Sequence, residues 1–157
     1  MADITEISAM VAAAGVLVGV VYYILDMRYQ RQERRKDLVI GLSSELKNRE
    51  FLEASVIAYE AEFGNYDEFV KKYGKFFSTN KVPMAFMMIG NYYEQVGVLL
   101  RNRLIEPSLI EQLIPVSISW EKMATIIEEV RKEYHDPHLW EWFEYLYKEM
   151  KKREQRK

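Results

Sequence analysis

Cysteine is absent from the 157 residues, which excludes disulfides, thiolate metal sites and a cysteine nucleophile and leaves the redox compartment open. Phosphate-cradling loops of the Walker or dinucleotide type, a GxSxG elbow and the ExxH pairs of di-iron bundles are missing as well. Only two histidines occur, in the run HDPH from His135 to His138. A proline and an expected helix boundary separate them, so they read as corner residues and not as metal ligands. Carboxylate pairs such as Glu60 with Glu62, or Glu128 with Glu129, fall on different helical faces and describe solvated surfaces. No catalytic residue, cofactor-binding residue, metal site, cofactor or small-molecule substrate is therefore assigned, and the chain is read as non-enzymatic.

Glycine and proline are scarce, at seven and four, and no Gly, Ser or Pro linker or repeat of about 20 to 50 residues is visible. One compact body is expected. Eleven Tyr, seven Phe and three Trp must supply much of its interior. Charge is unevenly spread: residues 37 to 147 carry eleven basic and eighteen acidic side chains, a net −7, between basic stretches at 26–36 (+3) and 148–157 (+4).

Ile7 to Leu25 is a run of nineteen residues without a formal charge, about 28 Å as a helix and close to the ~30 Å hydrocarbon core. A secretory signal would lead with basic residues and end in a small-residue cleavage site. Here Asp3 and Glu6 lead, and Tyr22, Tyr23, Ile24 and Leu25 close the run. A core helix would show one polar face, yet only Ser8 interrupts the apolar character. Arg28, Arg31, Arg34, Arg35 and Lys36 follow, which places the C-terminal side in the cytoplasm by the positive-inside rule and offers contact to anionic lipid heads. The reading is a single-pass anchor in the cell membrane, N-terminus outside. Its divisions are an external tail at 1–6, a spanning helix at 7–25, a basic juxtamembrane helix at 26–41, a cytoplasmic helical domain at 42–153 and a basic tail at 154–157. Gly41 is the first expected break. A nucleic-acid partner is not expected behind so acidic a body.

Ser8, Ala12, Gly15 and Gly19 recur at helical spacing and give the span one small face, with GxxxG at Gly15 and Gly19. Such a face lets a second helix approach closely, where packing must drive association. The expected partners are the bilayer and either a second copy or another membrane subunit.

The body reads as helical throughout, with about five to six helices. Asn48 opens one whose inner face is Leu52, Ser55, Val56, Tyr59 and Phe63. Asn65 with Glu68 makes a capping-box start for YDEFVKKYG. Asn80 and Pro83 open the longest, to about Arg103, with Phe86, Ile89, Tyr93, Val96, Leu100 and Leu104 inward; this helix is expected to be central. Pro107 starts SLIEQL and Pro115 ends it. VSISW alternates like a strand, but with no second strand to pair it joins a helix through Trp120, Met123, Ile127, Val130 and Tyr134. Asp136 is expected to cap a last helix with Pro137 in its first turn and Leu139, Phe143, Leu146, Tyr147 and Met150 inward. Met84, Met87 and Met88 read as core in preference to a binding groove. Glu94 lies beside the apolar stripe, with Gly90 and Gly97 flanking it where another helix can approach. If buried it needs a partner, Arg131 or Arg101; otherwise it is a half-exposed residue at the helix rim.

NREFLEASVIAYE, YDEFVKKYG, NYYEQVGVLLRNRLIEPSLIEQLI, SWEKM and DPHLWEWFEYLYKEMKKR, in that order behind a single apolar span, resemble a family of small prokaryotic membrane proteins known only as a domain of unknown function. The likeness covers residues 7 to 153. It implies one anchor and a cytoplasmic all-helical body, and it carries over no catalytic or binding residue. The function expected is a membrane-tethered helical interaction module, as a homo-oligomer or an accessory subunit. The alternatives are a membrane-surface regulator on anionic lipid with a soluble partner and, more distantly, an enzyme.

Overall fold

A computed structural model describes residues 3–156. The first two residues of the expected external tail, and Lys157 of the basic tail, lie outside it. The described residues form seven helices and no strand: α1 Ile4–Lys47, α2 Arg49–Glu60, α3 Tyr66–Tyr73, α4 Lys81–Arg101, α5 Pro107–Leu113, α6 Val116–Glu133 and α7 Glu141–Glu154. The chain divides into two compact units, Met1–Leu38 and Val39–Lys157.

The first unit is the greater part of α1. This helix is long and apolar enough to cross a membrane, and none of its most apolar window is buried. A core helix would be covered; here Met10, Val11, Leu17, Val18 and Tyr22 are all about two-thirds or more exposed. The expected break at Gly41 does not occur, and α1 runs on to Lys47. One glycine in a helix interior costs only about 1 kcal/mol. Val39, Leu42 and Leu46 around it are partly buried, and the Leu42 carbonyl accepts from the Tyr92 hydroxyl at 3.4 Å. The helix stops instead where Asn48 caps α2 with its side chain on the Glu50 N–H.

The second unit is built around α4, which packs against α2, α3, α6 and α7. Phe86, Ile89, Tyr93, Val96 and Leu100 are buried as the spacing predicts, whereas Leu104 lies past the helix end and is exposed. Asn65 accepts from the Glu68 N–H at 2.9 Å while Glu68 reaches back to the Gly64 N–H, a reciprocal cap. Rings fill the interior. Phe69, fully buried, meets Phe63, Tyr66, Tyr73, Phe76 and Phe86.

Three readings of the sequence are corrected. Helix α2 turns Phe51, Ala54 and Ala58 inward, leaving Leu52, Val56 and Tyr59 exposed; with apolar residues on both sides, the small alanines allow the closer approach to α4. Met84 and Met88 face solvent. Helix α7 starts at Glu141, not at Pro137. The Asp136 side chain accepts from the His138 N–H in the turn before it, and Trp140, at φ 54°, offers no side-chain cap.

Candidate functional site

On α1 the side chains of Ser8, Ala12, Gly15 and Gly19 share one side of the helix and are exposed. A Cβ added at Gly15 or Gly19 would meet nothing within 4 Å, so no contact among the described residues explains either glycine. Below this face Arg28, Arg31 and Arg34 are exposed, and Lys36 pairs with Glu33 at 2.7 Å.

The second place where sequence and structure converge is the seam between α4 and α7. Gly90, Glu94 and Gly97 lie at i, i+4 and i+7, along one side of α4. At Gly90 the Trp140 ring occupies the space of a missing side chain, 2.5 Å from where a Cβ would stand. Its indole N–H donates to Asn91 Oδ1 at 3.0 Å. At Gly97 the backbone of Trp142 fills the same kind of space, with its carbonyl carbon 2.5 Å from a Cβ position. Between them Glu94 Oε2 accepts from the Phe143 N–H at 2.8 Å.

Glu94 therefore caps α7 from another helix. The first amides of a helix have no partner within it, and Trp140 supplies none, so a carboxylate from α4 takes that place where the helix dipole favours it. The expected partners are elsewhere. Arg131 donates to Leu139 O at 2.9 Å and pairs with Glu144 at 2.7 Å, and Arg101 lies 6.0 Å from the Trp142 ring centre. Arg131 and Glu94 hold the same turn from two sides.

Burial pushes the Glu94 carboxyl above its ordinary pKa, opposed by the Phe143 and Trp142 amides, with Glu141 of α7 adding to the rise and Arg131 of α6 reducing it. A raised folded-state value means that folding takes up a proton as the pH falls. This contribution favours the fold at low pH and is lost as pH rises through the folded value. Glu144 runs the other way: Lys148 and Arg131 hold it below its ordinary value, and its stabilisation is lost as pH falls through that lowered value. Glu94→Gln keeps an acceptor without the buried charge. It is expected to stay within about 1 kcal/mol of the parent at neutral pH and to erase the Glu94 share of the acid-side gain. Glu94→Ala also erases that share and, losing the acceptor, is expected to cost about 1–2 kcal/mol at neutral pH. Denaturant unfolding at a series of pH values, followed by tryptophan emission, separates the two.

Among the described residues no group of three or more His, Asp or Glu side chains could hold a metal ion. His138 Nδ1 lies 2.7 Å from Glu141 Oε2, and His135 sits in the left-handed region just past α6. An open cleft of about 310 Å³ lies among α5, α6 and α7. Its lining includes Ile114, Val116, Ile118 and Met150, with Glu111 and Glu154 at its walls. Both carboxylates are engaged, Glu111 with Arg153 and Glu154 with Ser117. Neither this cleft nor the α2 stripe could be read from spacing, because both depend on which faces the other helices cover.

No curated protein matches the chain, and no solved structure does. A family model described as a domain of unknown function (DUF4760) matches residues 9–150. Nearly the whole of α1 and the body fall within that match, and the chain belongs to the DUF4760 family.

Proposed function

We propose that the protein is a non-enzymatic, single-pass membrane-tethered interaction module of a prokaryotic cell membrane, working as a homo-oligomer or as an accessory subunit of a membrane complex. The observation that carries this reading is the uncovered apolar stretch of α1, with its small-residue side and its basic flank. Apolar surface of that extent is stable only in lipid or against other helices, and the five cations at 28–36 favour a cytoplasmic body. The unexplained glycines fit a second helix approaching at Gly15 and Gly19.

The test is the mass of the full chain purified from its own cells in mild detergent. A complex larger than one chain is expected, and Gly15→Ile with Gly19→Ile is expected to shift it toward the monomer. A lone monomer with no co-purifying protein sinks the reading; an unchanged complex in the double variant removes the small face from it.

A further inference from the structure

One side of α1 changes character where its apolar run ends. Leu17, Val20, Ile24, Met27, Arg28 and Arg31 recur at helical spacing along it, on the side away from Gly15 and Gly19. Tyr23, Ile24, Met27, Arg28 and Arg31 line an open hollow of about 230 Å³ on the helix surface. Ile24, at 46% exposed, is the most covered of the large apolar side chains between Ile7 and Leu25, and Met27 is partly buried. The hollow is thus apolar toward the span and cationic toward the stalk that follows.

Among the described residues no ion pair holds Arg28 or Arg31, and both are exposed. The acids of the stalk lie elsewhere. Asp26, Glu33 and Asp37 continue the line of Gly15 and Gly19 at steps of seven and four, Asp26 accepting from Gln30 at 2.8 Å and Glu33 pairing with Lys36 at 2.7 Å. A partner helix is a poor occupant for the arginine side, because close approach within a bilayer needs small residues and Leu17, Val20 and Ile24 are bulky. Lipid chains conform to such a surface. Arg28 and Arg31 also stand within two turns of the end of the span, at the level of the headgroups. A guanidinium binds phosphate through two parallel N–H donors. A choline headgroup brings its own cation to that place and an anionic one does not.

We infer that α1 holds an anionic phospholipid on its arginine side, with the phosphate at Arg28 and Arg31, the head of the acyl chains in the hollow at Ile24 and Met27, and the chains along Val20 and Leu17. The two sides of the helix then have separate occupants: lipid on this one, and on the other the helix contact at Gly15 and Gly19. The inference rests on reading α1 as a membrane anchor, but not on association through the small-residue side.

Because the chain has no cysteine, a single fluorophore can be placed through Val20→Cys on the arginine side or Val18→Cys on the opposite one. The full chain is reconstituted in phosphatidylcholine vesicles containing phosphatidylglycerol, and quenching by chain-brominated phosphatidylglycerol is compared with quenching by brominated phosphatidylcholine at equal mole fraction. Phosphatidylglycerol is expected to be enriched about three-fold at Val20, and little at Val18. Arg28→Gln with Arg31→Gln should abolish the enrichment, whereas Arg34→Gln with Lys36→Gln, which removes the same charge, should leave most of it. Soluble glycerol phosphate should not displace the lipid, since it lacks the chains. No enrichment at Val20, equal enrichment at Val18, an equal loss in both double variants, or displacement by glycerol phosphate would each overturn the inference while leaving the anchor in place. A chain that fails to float with the vesicles would overturn the anchor reading and this inference together.

Discussion

Replacing Phe143 by alanine is expected to remove about 3–5 kcal/mol from the stability of the body. The ring is fully buried, stacked on Tyr93 at 4.6 Å and edge-on to Trp120 at 5.0 Å. Its removal opens a cavity where α4, α6 and α7 meet, and two large rings lose a neighbour they cannot replace by relaxing. Domains of this size are stable by about 5–15 kcal/mol in all, so the loss is a large share, on the order of 15 °C in Tm. Phe143→Leu should cost less than half as much. Trp120, Trp140 and Trp142 are the only tryptophans and all lie in the body, so their emission during denaturant unfolding reports it without interference from α1. A loss below about 1 kcal/mol would mean that this corner collapses onto the cavity and is not the rigid centre of the fold.

Gly97→Ala is expected to destabilise the body by roughly 2 kcal/mol or more, although alanine is the better helix former by about 1 kcal/mol. The added methyl would stand against the carbonyl of Trp142, with that residue's Cβ at 2.9 Å. The obstacle is backbone in the first turn of α7 and cannot rotate away as a side chain does. Nor can α7 slide freely, because Trp140 is seated at Gly90 and Glu94 holds the Phe143 amide. Gly41→Ala is the matched control: nothing lies within 4 Å of its added methyl, so helix propensity alone should act and stability should not fall. If Gly97→Ala proved as stable as the parent, the close α4–α7 approach would be wrong.

Much of the helix order was legible because caps and prolines are local signals. Asn48, Asn65, Pro107 and Pro115 act within a few residues of themselves, and each boundary they mark was found. VSISW, with no second strand to pair, lies in α6. Gly90, Glu94 and Gly97 were legible as a place of close approach, since two glycines beside a carboxylate are poor choices for an isolated helix. Glu94's actual partner was not legible. A backbone amide of α7, forty-nine residues away in sequence, leaves no mark on composition, and the missing cap at Trp140 made Asp136 look like the start of α7.

Helix α2 shows the same limit in packing. Phe51, Ala54 and Ala58 on one side and Leu52, Val56 and Tyr59 on the other both satisfy helical spacing, and only the neighbouring helices choose between them. The larger residues suggested the inner face, yet alanine wins where two backbones come close. Met84 and Met88 are exposed for the same reason: their spacing on α4 is that of a core stripe, but α2, α3, α6 and α7 cover other sides of that helix.

The sequence by itself determined the all-helical class, the apolar first helix with its basic flank, the aromatic interior and the order of the body helices, because periodicity, length and capping act over a few turns of chain. Only the tertiary structure decided which side of α2 is buried, that Glu94 caps α7, and that Leu52, Val56 and Tyr59 stay exposed. Those depend on which surfaces meet across distant parts of the chain, and burial is a property of the pair, not of either residue.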